Sequence, residues 1–168
     1  MKKTIIKNSV TINVDKDKLW DILSDFGNVQ NLSPGIAKSY LTSETKNGLG
    51  ATRHCDFTSM GSQVEEKIIG WNKGKSFKIE LYDTKNIPMM KEMNAFFELE
   101  TEKEGTKLTT VFEYQMNNVV GKIFNNLKMK SMNEKSWLQF LAGIKHYSET
   151  GETVDEKTNL DLSTVKSI

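Results

Sequence analysis

Alternating apolar and polar positions fill the first two thirds of the chain, and apolar positions at helical spacing fill most of the rest. Residues 4–14 place Ile6, Val10, Ile12 and Val14 on one face, the period-two pattern of a half-buried strand. Asp15 stands where an N-cap belongs, before a short amphipathic helix at 17–23. Residues 25–32 read as a second short helix, ended by Ser33-Pro34-Gly35. Strands follow at 36–42, 51–57, 63–71, 76–82, 90–101 and 107–115, separated by turn residues such as Asn47-Gly48, Met60-Gly61 and Glu104-Gly105. Such turns between alternating strands signal hairpins, so the sheet is expected to be antiparallel.

Residues 119–149 contain no proline and only the glycines Gly121 and Gly143. Val120, Ile123, Phe124, Leu127, Leu138, Leu141 and Ile144 recur at helical spacing. A helix of about 28 residues would be about 42 Å long, enough to cover one face of a curved sheet. On a wheel of about 100° per residue, Ser131 and Glu134 fall inside the apolar stripe. A buried carboxylate without partners is costly. The helix is therefore expected to roof a partly wet cavity, unless it is turned so that Glu134 reaches solvent.

The expected architecture is α+β: a curved antiparallel sheet of six to seven strands gripping a long C-terminal helix, with two short helices after the first strand. Residues 1–150 form one domain. Residues 151–168 are polar and rich in Thr, Ser and Lys. They read as a flexible tail, or as a segment that docks on the body or on a partner.

Charge removes several classes of function. There are 23 basic and 22 acidic residues, with no long run of one sign. A nucleic-acid footprint needs clustered Lys and Arg, so none is expected. No apolar run approaches a membrane span, and Lys7, Asn8 and Asn13 interrupt any signal peptide, so the expected compartment is the cytoplasm. Cys55 is the sole cysteine and cannot form an internal disulfide. With two histidines far apart in sequence, no metal-ligand spacing occurs. No catalytic triad order, phosphate loop or dinucleotide fingerprint points to an enzyme or a cofactor.

Several stretches carry a family resemblance. Residues 10–14 followed by Leu19-Trp20-Asp21-Ile22-Leu23-Ser24-Asp25-Phe26-Gly27 resemble the opening strand and helix of the START-like, Bet v 1-like (SRPBCC) superfamily. So do Ser33-Pro34-Gly35, Gly48-Leu49-Gly50-Ala51-Thr52-Arg53, Glu66-Lys67, Gly105-Thr106-Lys107-Leu108 and Leu141-Ala142-Gly143-Ile144-Lys145. The resemblance spans residues 4–149 and is to the polyketide cyclase/dehydrase and lipid-transport group. It implies the helix-grip fold, but the superfamily holds carriers, receptors and cyclases, so fold does not settle chemistry. Thr58-Ser59-Met60-Gly61 stands where the plant hormone receptors have a Ser-Gly-Leu-Pro gate, so a receptor of that kind is not expected.

Arg53 and Glu66 share strand faces with apolar neighbours and are expected to point inward, either paired with each other as a wall salt bridge or holding a polar group of a ligand. Phe77, Ile79, Met90 and Leu138 are expected lining or core. On the last strand, Phe112 and Tyr114 or else Val111 and Glu113 line the interior. Ser131 and Glu134 would add polar contacts from the helix. The turns at Met60-Gly61 and Asn86-Ile87-Pro88 would form a rim. The leading expectation is a binder of one small hydrophobic molecule, such as a lipid, quinone or polyketide-like aromatic. The alternatives are a cyclase or dehydratase using Glu66 as base, and a chaperone-like protein contacting a partner through its tail.

Overall fold

A computed structural model describes residues 2–87 and 90–168; Pro88 of the expected rim lies outside them. Strands β1 (Thr4–Ile12), β2 (Ile36–Leu41), β3 (Thr52–Phe57), β4 (Gln63–Asn72), β5 (Ser76–Lys85), β6 (Met90–Glu102), β7 (Gly105–Met116) and β8 (Val165–Ser167) form one antiparallel sheet in the order β2-β3-β4-β5-β6-β7-β1-β8. Helix α1 (Lys16–Ser24) and a 3-10 helix (Phe26–Asn31) follow β1. The long helix comprises α2 (Val119–Phe124), a π turn (Asn125–Met129) and α3 (Lys130–Thr150). This is the α+β helix-grip arrangement that the hydrophobic pattern predicts.

Period-two patterning decides which face is inside. On β7, Leu108, Thr110, Phe112, Tyr114 and Met116 are buried, while Val111 and Glu113 are half-buried beside Lys78, Asn94 and Phe96 in a shallow groove on the outer face. Phe112 and Tyr114 are therefore the inward pair. On α1, Leu19, Trp20 and Leu23 enter the core. Asp15 occupies the N-cap position, but its side chain makes no cap hydrogen bond.

Two glycines place the end of the long helix. A Cβ on Gly143 would stand 2.3 Å from the carbonyl oxygen of Leu32, so only glycine lets α3 approach the loop after the 3-10 helix this closely. Gly151, at φ 77°, takes the left-handed conformation and closes α3 through its N–H to the Tyr147 carbonyl.

Two expectations need correction. The sheet has eight strands, because the chain beyond Gly151 packs on the body, the second of the two readings above. Val154 is buried and its N–H bonds the Asn31 carbonyl at 3.0 Å; Leu160 and Leu162 pack on the core; Val165 is buried in β8, which pairs with β1. Four apolar residues among polar ones suffice, since each buries its side chain against a neighbouring element. The first half of the long helix also faces the other way from its apolar pattern. Gly121, Asn125 and Met129 face the body, whereas Val120, Ile123, Phe124 and Leu127 are exposed. The π turn over 125–129 breaks the 3.6-residue period that carried the expected stripe through.

Candidate functional site

Arg53 on β3 and Glu66 on β4 are cross-strand partners. Both are buried, and the pair is closed on itself. Arg53 Nε donates to Glu66 Oε2 at 2.5 Å, and Nη2 pairs with the same oxygen. Nη1 donates to the carbonyl of Phe26 at 2.7 Å, and the guanidinium lies 4.0 Å from the Phe26 ring centroid. One arginine thus neutralises a buried carboxylate and fastens the 3-10 helix to the sheet. Cys55 lies beside the pair, and burial pushes its thiol up to about 12, with the Glu66 charge adding to the effect. It remains a protonated, unreactive thiol at neutral pH.

Aromatic rings continue from this pair beneath the long helix. Phe77 stacks on Phe97 with centroids 4.5 Å apart and planes 6° from parallel. Phe97 meets Trp137 and Phe140 of α3, and Trp137 reaches Phe112 at 5.2 Å. Trp20 bridges Phe77 to Trp71 on the other side. These rings occupy the hollow expected under the helix. Beside them is a small pocket of about 20 Å³ lined by Leu23, Asp25, Val29, Leu32, Arg53, Phe77, Phe97 and Phe140, room for about one water.

Tyr114 latches the first half of the helix. Its hydroxyl donates to Asn125 Oδ1 at 2.5 Å, and Asn125 Nδ2 donates to Thr4 Oγ1 at 3.2 Å. Burial raises the Tyr114 hydroxyl above its ordinary value. Asn125 and Phe97 were not expected at the site. A polar residue four positions from both Gly121 and Met129 is the signal that would have found Asn125.

Of the expected residues, Arg53, Glu66, Phe77, Ile79, Phe112 and Tyr114 converge in the interior. Met90 and Leu138 are half-buried and pack against the core. Ser131 and Glu134 do not join them: Ser131 is exposed, and Glu134 pairs with Lys130 along the helix surface at 3.7 Å.

Strain gathers at one end. The non-glycine residues with positive φ among those described are Met60, Asp83, Asn86 and Glu92. They lie in the β3–β4 turn and at the facing ends of β5 and β6. Asn86 Nδ2 donates to the Met60 and Gly61 carbonyls at 3.3 and 3.1 Å, and Asn133 Nδ2 of α3 approaches Met90 Sδ at 3.8 Å. Left-handed backbone at non-glycine positions is held only by its surroundings.

On the outer face, His54 lies between Glu65 (Nδ1–Oε1 2.5 Å) and Asp56 (Nε2–Oδ1 3.2 Å), and stacks on Tyr40. The Glu65 contact leads in raising its pKa above the ordinary histidine value. Among the described residues, no group of three His, Cys, Asp or Glu side chains is placed to hold a metal ion, and no helix is long and apolar enough to cross a membrane.

Comparisons fit this geometry. The ginseng major latex-like protein 151 from Panax ginseng is 16% identical, with a TM-score of 0.69 over 90% of this chain and 99% of its own. The Zhui aromatase/cyclase from a Streptomyces species is 12% identical, with a TM-score of 0.73 over 88% of this chain and 94% of its own. A protein from Nitrosospira multiformis is 11% identical, with a TM-score of 0.68 over 88% and 98%. At these identities the likeness is one of fold. No curated protein matches the sequence. Residues 3–149 match the family described as polyketide cyclase/dehydrase and lipid transport, and the chain belongs to that family.

Proposed function

We propose that the protein binds one small hydrophobic molecule, with an aromatic or acyl body and one polar group, between the sheet and the long helix. The observation that carries this reading is the buried Arg53–Glu66 pair at the foot of a continuous aromatic cluster. Ligand sites are mainly apolar with a few polar anchors, and this interior has that composition. A guest enters by displacing Trp137 and Phe140 as the helix segment before them lifts. That segment meets the body through Gly121, Asn125 and Met129. The rim between Met60 and Asn86 opens with it. Family membership supports the same class of ligand.

The test has two arms: native mass spectrometry of protein purified without denaturant, and tryptophan fluorescence during titration with oleate and with menadione. A bound small molecule, or saturable one-to-one quenching that Trp137→Phe reduces, is expected. Protein that emerges empty and shows no saturable quenching with either probe overturns the reading.

A second reading is favoured by the fold shared with an aromatase/cyclase. Glu66 would take a proton from an enolisable carbonyl substrate while Arg53 holds the enolate oxygen. It requires the substrate to part a pair that is closed here, and unchanged turnover in Glu66→Gln would remove it.

A further inference from the structure

The apolar residues of the first half of the long helix face away from the protein. Val119, Val120, Ile123, Phe124 and Leu127 are 68%, 65%, 57%, 39% and 80% exposed. On a wheel of about 100° per residue they fall together, roughly opposite the buried row of Gly121, Asn125 and Met129. This is a ridge of large side chains at one-turn spacing, not a scatter of single exposed residues, and such a patch on a monomer marks an interaction surface. A globular protein gains nothing by turning the apolar stripe of an amphipathic helix outward unless something other than water receives it.

Charge identifies what receives it. Residues 117–133 carry Lys122, Lys128 and Lys130 and no acidic residue. All three lysines are exposed, and Lys122 and Lys128 fall on the two flanks between ridge and buried row. The first acidic residue after them, Glu134, is already paired with Lys130. An apolar ridge flanked by lysines is the arrangement of a helix lying in a bilayer interface, where the ridge enters the acyl boundary and the long lysine stems reach back to anionic headgroups.

We propose that residues 119–132 form a docking surface for an anionic lipid bilayer, with Val119, Val120, Ile123, Phe124 and Leu127 inserted and Lys122 and Lys128 against the headgroups. Docking here would apply its pull to the helix segment that Tyr114 and Asn125 latch to the sheet. The surface itself needs no ligand inside the protein.

Flotation of the purified protein with vesicles of phosphatidylcholine alone, and of phosphatidylcholine with 30% phosphatidylglycerol, tests this. Binding to the anionic vesicles is expected, weakening as salt rises. The double variant I123E/L127E should lose it while keeping the wild-type Tm, because both side chains are exposed. In K122Q/K128Q the affinity should fall about fivefold per lysine, from roughly 1 kcal/mol each. Failure to bind anionic vesicles overturns the proposal, as does binding that I123E/L127E leaves intact. So does a dimer, seen by light scattering and broken by I123E/L127E, without vesicle binding, since a second copy would then cover the ridge. Vesicle binding and tryptophan quenching by soluble probes are separate readouts, so either reading can fail alone.

Discussion

Arg53 shows how one side chain can do the work of a core residue while remaining charged. It satisfies Glu66 and the Phe26 carbonyl and packs on the Phe26 ring, so its donors meet acceptors and its carbon surface is covered. Removing one member of such a pair leaves a buried charge unmatched, at about 3–5 kcal/mol. Glu66→Leu and Arg53→Met alone should each lower the unfolding free energy measured by urea titration by that amount, whereas R53M/E66L together should recover much of it. A double variant as unstable as the sum of the singles would show that the pair is not the unit. The inward placement of both residues was legible in the sequence, because Ala51 and Cys55 flank Arg53 on one strand face and Val64 and Ile68 flank Glu66 on the other. Their closure on each other was one of two readings left open, because register between strands is set by the turn joining them and by the whole sheet.

At the scale of elements, the long helix divides in two. Its second half is held by backbone proximity at Gly143, its first half by the Tyr114–Asn125–Thr4 chain of hydrogen bonds. Gly to Ala inside a helix ordinarily stabilises by up to about 1 kcal/mol. Gly143→Ala should reverse that sign, because the added methyl meets the Leu32 carbonyl and α3 must move away, at roughly 1–3 kcal/mol. Calorimetry should show a Tm fall of several degrees, and an unchanged or raised Tm would mean that the approach is looser than the structure shows. Strands β1 to β7 and both short helices were legible, since local apolar–polar periods and turn residues mark each of them. The outward turn of residues 119–127 was not. Periodicity reports that a helix has an apolar side, but it cannot report which side meets the body once a π turn changes the phase.

Across the whole molecule, the chain beyond Gly151 completes the sheet. It runs past the end of α3, buries Val154 and Val165, and covers the free edge of β1 with β8. Deleting residues 152–168 should lower stability, because it bares the apolar surface under Val154, Leu160, Leu162 and Val165 and removes the pairing of β8 with β1. The Tm should fall by roughly 5 °C or more, and the bared edge of β1 should make the truncated protein prone to association. A truncated protein that is monomeric with an unchanged Tm would show that the segment adds nothing to the body.

The sequence by itself determined the antiparallel sheet, the covering helix, the inward faces of β3 and β4 and the hairpins between strands. Those follow from local periods and turn chemistry, which each segment carries within itself. Only the tertiary structure decided that aromatic rings fill the interior, that Ser131 and Glu134 face solvent, that the C-terminal segment docks and that an apolar ridge is left outside. Those outcomes depend on which surfaces compete for the same space, and that competition is settled between segments distant in the chain.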